Sequence, residues 1–308
     1  MDDSQSSGKM NKPKTVDVLP VLSMSALFVV IFLLAFLVAG PFEAAGAVAF
    51  ENPSDPWNIA YFFGMLMFIT AAILIIIKLK KANFLRVIFL GATAVLSLYV
   101  FYPLLSLVSS NWLLTLGLSI IGSAALTILL IKKPEWYVVD AVAILTGVGA
   151  TAMIGISLDI WIVIPLLIAM AAYDAFSVYK SKHMIDLADS IIDRKLPVMF
   201  VIPKNKGYSL LKETRSLKEK LQEGEVREAY FLGVGDVVFP GILAVSVFHN
   251  TASNGLLTAL SVLAGTLIGF IVLMTFVIKG KPQAGLPLLC SGAILGYLIS
   301  YFLLFGIV

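Results

Sequence analysis

Charge is scarce in this sequence: 13% of its 308 residues are Asp, Glu, Lys or Arg, against 59% hydrophobic, at a mean hydropathy of +0.97. That balance excludes a soluble domain with a large core, and leaves a polytopic membrane protein. Cysteine is scarcer still. Cys290 alone excludes an internal disulfide and any Cys-rich metal site, and it leaves the compartment unreadable from thiols. The only histidines, His183 and His249, lie at opposite ends of membrane segments with no His-Glu-x-x-His run, which argues against a zinc protease. No repeat or low-complexity tract is present, and neither a metal, another cofactor nor a nucleic-acid partner is expected.

What is present is a series of long apolar runs, at 18–40, 57–77, 84–108, 111–131, 137–158, 160–179, 229–248, 255–278 and 286–306. Each is long enough to cross a bilayer, so the chain reads as an all-α polytopic membrane protein of about nine helices. The divisions follow: a flexible tail at 1–17, helices 1–6 at 18–179, a polar loop at 180–228, and helices 7–9 at 229–308. All 22 Lys and Arg residues fall before helix 1 or between helices 2 and 3, 4 and 5, 6 and 7, or 8 and 9. The intervening connections carry only acids or no charge. By the positive-inside rule the N-terminus and the long loop are cytoplasmic and the C-terminus external, in a multi-pass protein of the cell membrane. Within the loop, Leu210 to Gln222 alternates Lys and Glu like a short surface helix, and Val198 to Ile202 reads as a brief strand or an interfacial patch.

Two carboxylates stand out against this background. Asp174 ends the apolar residues 160–173, and Asp236 lies just inside the run at 229–248. A charge at membrane depth costs at least about 2.5 kcal/mol, so by default it faces the protein interior or a wet cavity for a functional reason. Asp174 is six residues inside Lys180 and Asp236 nine inside Arg227. At the rise of a helix both lie roughly 9 to 14 Å from the same membrane face, on antiparallel neighbours. The carboxylates can therefore meet. Two adjacent carboxylates in a low-dielectric site share a proton, so that one deprotonates a water while the other protonates an amide carbonyl. Gly233 and Gly235 let backbone or substrate approach Asp236; the plainer reading is that glycine lets membrane helices pack closely.

Other arrangements carry less. Gly117-Leu118-Ser119 has the look of a membrane serine nucleophile, but its helix offers no His partner. Asp140, seven residues from Lys133, fits local pairing or snorkelling better than a place in the pair. A proton- or cation-coupled transporter or channel also uses buried aspartates. It requires neither Gly-x-Gly-Asp nor a long loop between the two acid-bearing helices.

Tyr173-Asp174, followed one long loop later by Gly233-Val234-Gly235-Asp236, resembles the presenilin and signal peptide peptidase family of intramembrane aspartyl proteases. Nine helices with the acids in helices 6 and 7 fit the same family. Its third motif, Pro-Ala-Leu at the start of helix 9, reads Pro287-Leu288-Leu289 here, so the middle residue is bulkier. The resemblance implies an aspartic endopeptidase with Asp174 and Asp236 catalytic. Tyr173, Gly233, Gly235, Pro287, Leu288 and Leu289 would support the site or bind substrate. Transmembrane proteins or peptides would be the substrates. Pro287 is six residues past Lys281, close to the level of the two acids, and the stretch from Pro282 to Pro287 is expected to be locally extended.

Overall fold

The computed structural model describes residues 18–79, 82–181, 198–204, 207–210, 229–251, 254–278 and 283–305. Nine α-helices lie among them. They are α1 (Val18–Ala44), α2 (Trp57–Lys78), α3 (Ala82–Ser106), α4 (Trp112–Lys132), α5 (Trp136–Ile156), α6 (Ile160–Phe176), α7 (Val234–Asn250), α8 (Gly255–Ile278) and α9 (Leu286–Phe305). Eight are long and apolar enough to cross a membrane, and α7 is a shorter apolar helix. The tail at 1–17 and the stretch from 211 to 228, with most of the expected surface helix, lie outside the described residues.

Two strands, β1 (Met199–Pro203) and β2 (Ala229–Gly233), form an antiparallel sheet, with Val201 opposite Phe231 and Met199 opposite Gly233. The brief strand expected at 198–202 is therefore present. The seventh apolar run differs from its expectation, because its first five residues are β2 and the helix begins only at Val234. Tyr230 and Phe231 suit a pleated surface, and pairing with β1 satisfies backbone groups that a helix would have satisfied internally. At 17 residues α7 is left about 25 Å long.

The order of packing explains why α7 is the axis of the fold. It contacts α1, α5, α6, α8 and α9, and from Val237 to Val247 nearly every residue is buried. Apolar surface gains little by leaving lipid, so close backbone approach and van der Waals contact must hold such helices together. Gly155 of α5 lies where a Cβ would come within 2.6 Å of Val245, and a Cβ on Gly241 would come within 2.8 Å of Thr151. Helices α8 and α9 interlock more tightly still: a Cβ on Gly265 would lie 2.1 Å from the Gly292 carbonyl oxygen. At one end of the bundle Ser246 donates to the Leu158 carbonyl at 2.6 Å, and Asn250 reaches both groups. The opposite end, where α6 finishes and α7 starts, carries the sheet and both membrane aspartates.

Candidate active site

Asp174 stands two residues before the end of α6, where the helix passes into a π-helical turn at Ser177–Ser181. Such widened turns concentrate at functional sites. Its side chain is buried, and its Oδ2 accepts the backbone N–H of Leu286 at 3.1 Å, with Gly285 a second backbone donor. Both donors stand at the entry to α9, so an acid on one helix satisfies the N-terminal N–H groups of another.

Asp236 lies in the first turn of α7 and receives the N–H of Gly233, the residue at which β2 hands over to the helix. Pro240 has no N–H to donate to the Asp236 carbonyl, which removes one helical bond at this point. Two glycines crowd the carboxylate. A Cβ on Gly285 would come within 3.1 Å of Asp236 Oδ1, and a Cβ on Gly233 within 3.2 Å of Oδ2. Because Asp174 is bound to the backbone at Gly285 and Leu286 while Asp236 rests against Gly285, the two carboxylates converge on one peptide step.

The other expected residues divide. Gly235 has ordinary room, since a Cβ there would meet only the Phe239 ring at 3.6 Å. Tyr173 turns its ring edge-on to Phe63 of α2 at 6.0 Å between centroids, and Phe239 meets Phe62 of the same helix at 6.2 Å. Helix α2 thus lies alongside both acid-bearing helices. Pro282 lies outside the described residues, and the stretch expected to be extended up to Pro287 is non-helical at 283–285 and no further, with Leu286 opening α9 and Pro287 in its first turn. A missing N–H costs nothing there. Leu289 is fully buried, and the Leu288 backbone packs against α8, its carbonyl oxygen 2.4 Å from where a Gly269 Cβ would stand. These residues fasten α9 to α8 and so hold the Gly285–Leu286 step in place.

Sequence reasoning missed Gly285 itself. The available signal was Gly-x-Pro at a helix start, where glycine permits close approach and the proline fixes the first turn. Asp140 accepts the Val201 N–H at 2.7 Å, from 61 residues along the chain, in place of the local pairing or snorkelling expected near Lys133. Among the described residues no group of His, Cys, Asp and Glu is arranged to hold a metal ion.

A membrane-embedded helical bundle with two acids converging on a backbone step defines the class of membrane aspartyl hydrolases. Residues 25–307 match the family described as signal-peptide peptidase, presenilin aspartyl protease. The chain is similar to a presenilin family intramembrane aspartate protease solved in space group C222, at 32% identity over 92% of this chain and 99% of that one, with a TM-score of 0.68. The same description in space group P2 gives 33% identity over 92% and 98%, with a TM-score of 0.67. No curated protein matches it. The chain belongs to the signal-peptide peptidase and presenilin family, and is an intramembrane aspartic endopeptidase. Neither the fold nor the comparisons support the transporter alternative.

Proposed function

We propose that Asp174 and Asp236 are the catalytic pair, and that the protease hydrolyses peptide bonds of transmembrane-helix substrates with a water activated between them. The observation that carries this reading is the convergence of both carboxylates on the Gly285–Leu286 step. Together the pair holds one proton. The ionised member takes a proton from water as the water oxygen bonds to the scissile carbonyl carbon, while the protonated member gives its proton to the carbonyl oxygen. Collapse of the tetrahedral intermediate breaks the C–N bond: the protonated member gives its proton to the leaving amine, the ionised member takes one from a hydroxyl of the intermediate, and the pair again holds one proton. Gly233 and Gly285 serve by leaving space for Asp236, and Pro287, Leu288 and Leu289 by holding α9.

A helical substrate hides its amides, so it must unwind before attack. The outer edge of β2 is suited to receive the unwound segment by strand addition. In the ladder Val234 donates to the Val198 carbonyl at 3.0 Å, which makes Val201 and Phe231 a pair whose own N–H and C=O groups point away from each other. Phe231 therefore offers backbone groups on the outer edge, five residues before Asp236. The test is cleavage of a purified single-span substrate by the purified protein. A hydroxyl-bearing analogue of the tetrahedral intermediate is expected to inhibit competitively by displacing the water, and cleavage indifferent to it would remove the assignment.

The one-sided cations support a cytoplasmic N-terminus and 180–228 loop and an external C-terminus in the cell membrane, with the pair opening towards the cytoplasm. Cysteines introduced at Asn205 and Ser253, with Cys290 replaced, are expected to react with an impermeant reagent from opposite sides. Reaction from one side would overturn the orientation.

A further inference from the structure

We propose that Asp140 is a positioning residue of this protease: by holding the Val201 N–H it closes the outer edge of β1 against α5. That leaves the edge of β2, beside Asp236, as the one that receives substrate. The proposal rests on the reading of Asp236 as catalytic and of β2 as the docking strand.

A two-stranded sheet has two edges, and each is a template for an incoming strand. The structure treats them differently. Val201, in the middle of β1, points its N–H away from β2, and Asp140 Oδ1 takes it at 2.7 Å. The face of the sheet that carries Val201 and Ala229 packs on Val138, Val139 and Val142 of α5, the helix that carries Asp140. The opposite face, with Phe200, Ile202 and Leu232, joins the main core. Apolar contacts of this kind are tolerant of small shifts along the strand. A hydrogen bond to one particular N–H is not, so it fixes which residue of β1 faces α5. The ladder passes that register to β2, the strand whose outer edge lies beside Asp236.

A second carboxylate repeats the device at the start of the same helix. Glu135 accepts from the Ser209 hydroxyl at 2.8 Å and from the Leu210 N–H at 3.2 Å, fastening the chain that follows β1. Asp140 is the one of the two that acts on the sheet. A membrane-depth acid with no share in the catalytic pair thereby acquires a reason for being there.

The experiment compares three variants of the full-length purified protein on a single-span substrate. Asp140→Leu removes the acceptor at similar size, Asp140→Asn keeps an oxygen in its place, and Val201→Pro removes the donor at a position where the sheet does not use it. Asp140→Leu and Val201→Pro are each expected to raise KM about tenfold with kcat within about twofold, as loss of a binding edge requires. Combined, they are expected to do no more than either alone. Asp140→Asn is expected to stay within about twofold of the parent, and hydrogen exchange of residues 199–203 to run at least about tenfold faster in Asp140→Leu but not in Asp140→Asn.

A fall in kcat at constant KM, additive losses, or an unchanged KM with unchanged exchange in Asp140→Leu would each overturn the proposal. If Asp140→Leu does not fold, Val201→Pro carries the same KM prediction. Cleavage surviving Asp236→Asn would instead remove the catalytic pair, and the exchange measurement would still report whether Asp140 holds the strand.

Discussion

Asp236→Asn is expected to lower kcat for a single-span substrate by about 10⁴-fold or more, with the protein still folded in detergent, and Asp174→Asn to do the same. The argument is geometric. Each carboxylate has a separate attachment, Asp174 to the backbone of Gly285 and Leu286 and Asp236 to that of Gly233, so removing one charge leaves the other in place. What is lost is the exchange of roles between acid and base. The double variant is therefore expected to be no slower than either single one, because residues that act as a unit do not contribute separately. The pH dependence follows from the same sharing of one proton. Activity falls at low pH when both members are protonated and at high pH when both are ionised, giving a bell whose two apparent pKa values belong to the pair. Partial activity in one Asn variant, or losses that multiply, would sink the two-carboxylate mechanism.

How far the site was legible depended on what kind of signal each residue left. Asp174 and Asp236 were visible because a carboxylate interrupting an apolar run is costly wherever it sits, and counting from the flanking cations puts both at matching depth. Pro287 was visible through the resemblance of Pro287-Leu288-Leu289 to the family's third motif, and through its depth six residues past Lys281. Strand β2 was not. Ala229-Tyr230-Phe231-Leu232 runs without a break into the apolar residues of α7, and a short apolar run does not declare whether it is strand or helix. Only pairing with Met199–Pro203 decides it, and that partner lies across a long polar segment. Gly285 was hidden by its chemistry, because a residue that acts by having no side chain leaves no mark on composition or periodicity. Asp140 was legible as an acid apart from the pair. Its partner, a backbone N–H far along the chain, was not.

Gly285 is where the second large effect is expected. A Cβ at this position would stand 3.1 Å from Asp236 Oδ1, 3.3 Å from its carboxyl carbon and 3.4 Å from Oδ2, so it would press on the whole carboxylate and not on one flexible end. Backbone retreat is restricted on the other side, because Gly285 and Leu286 are bound to Asp174 and the Leu288 carbonyl is already against Gly269 of α8. The aspartate must therefore give by a few tenths of an ångström in Gly285→Ala, and by more in Gly285→Val. A catalytic group displaced by about 1 Å can cost 10²-fold, so a loss in kcat of about tenfold is expected for alanine and about 10²-fold or more for valine. The loss should fall on kcat, since the displaced group belongs to the pair and not to the β2 edge. Gly235→Ala is the contrasting case, for its Cβ would meet only the Phe239 ring at an ordinary 3.6 Å, and a loss under about threefold is expected. Single-turnover rates of the three variants, with thermal unfolding as the check on folding, separate the outcomes. Equal losses at Gly235 and Gly285 would show that glycine is needed here for backbone freedom, and that pressure on the Asp236 carboxylate is not the cause.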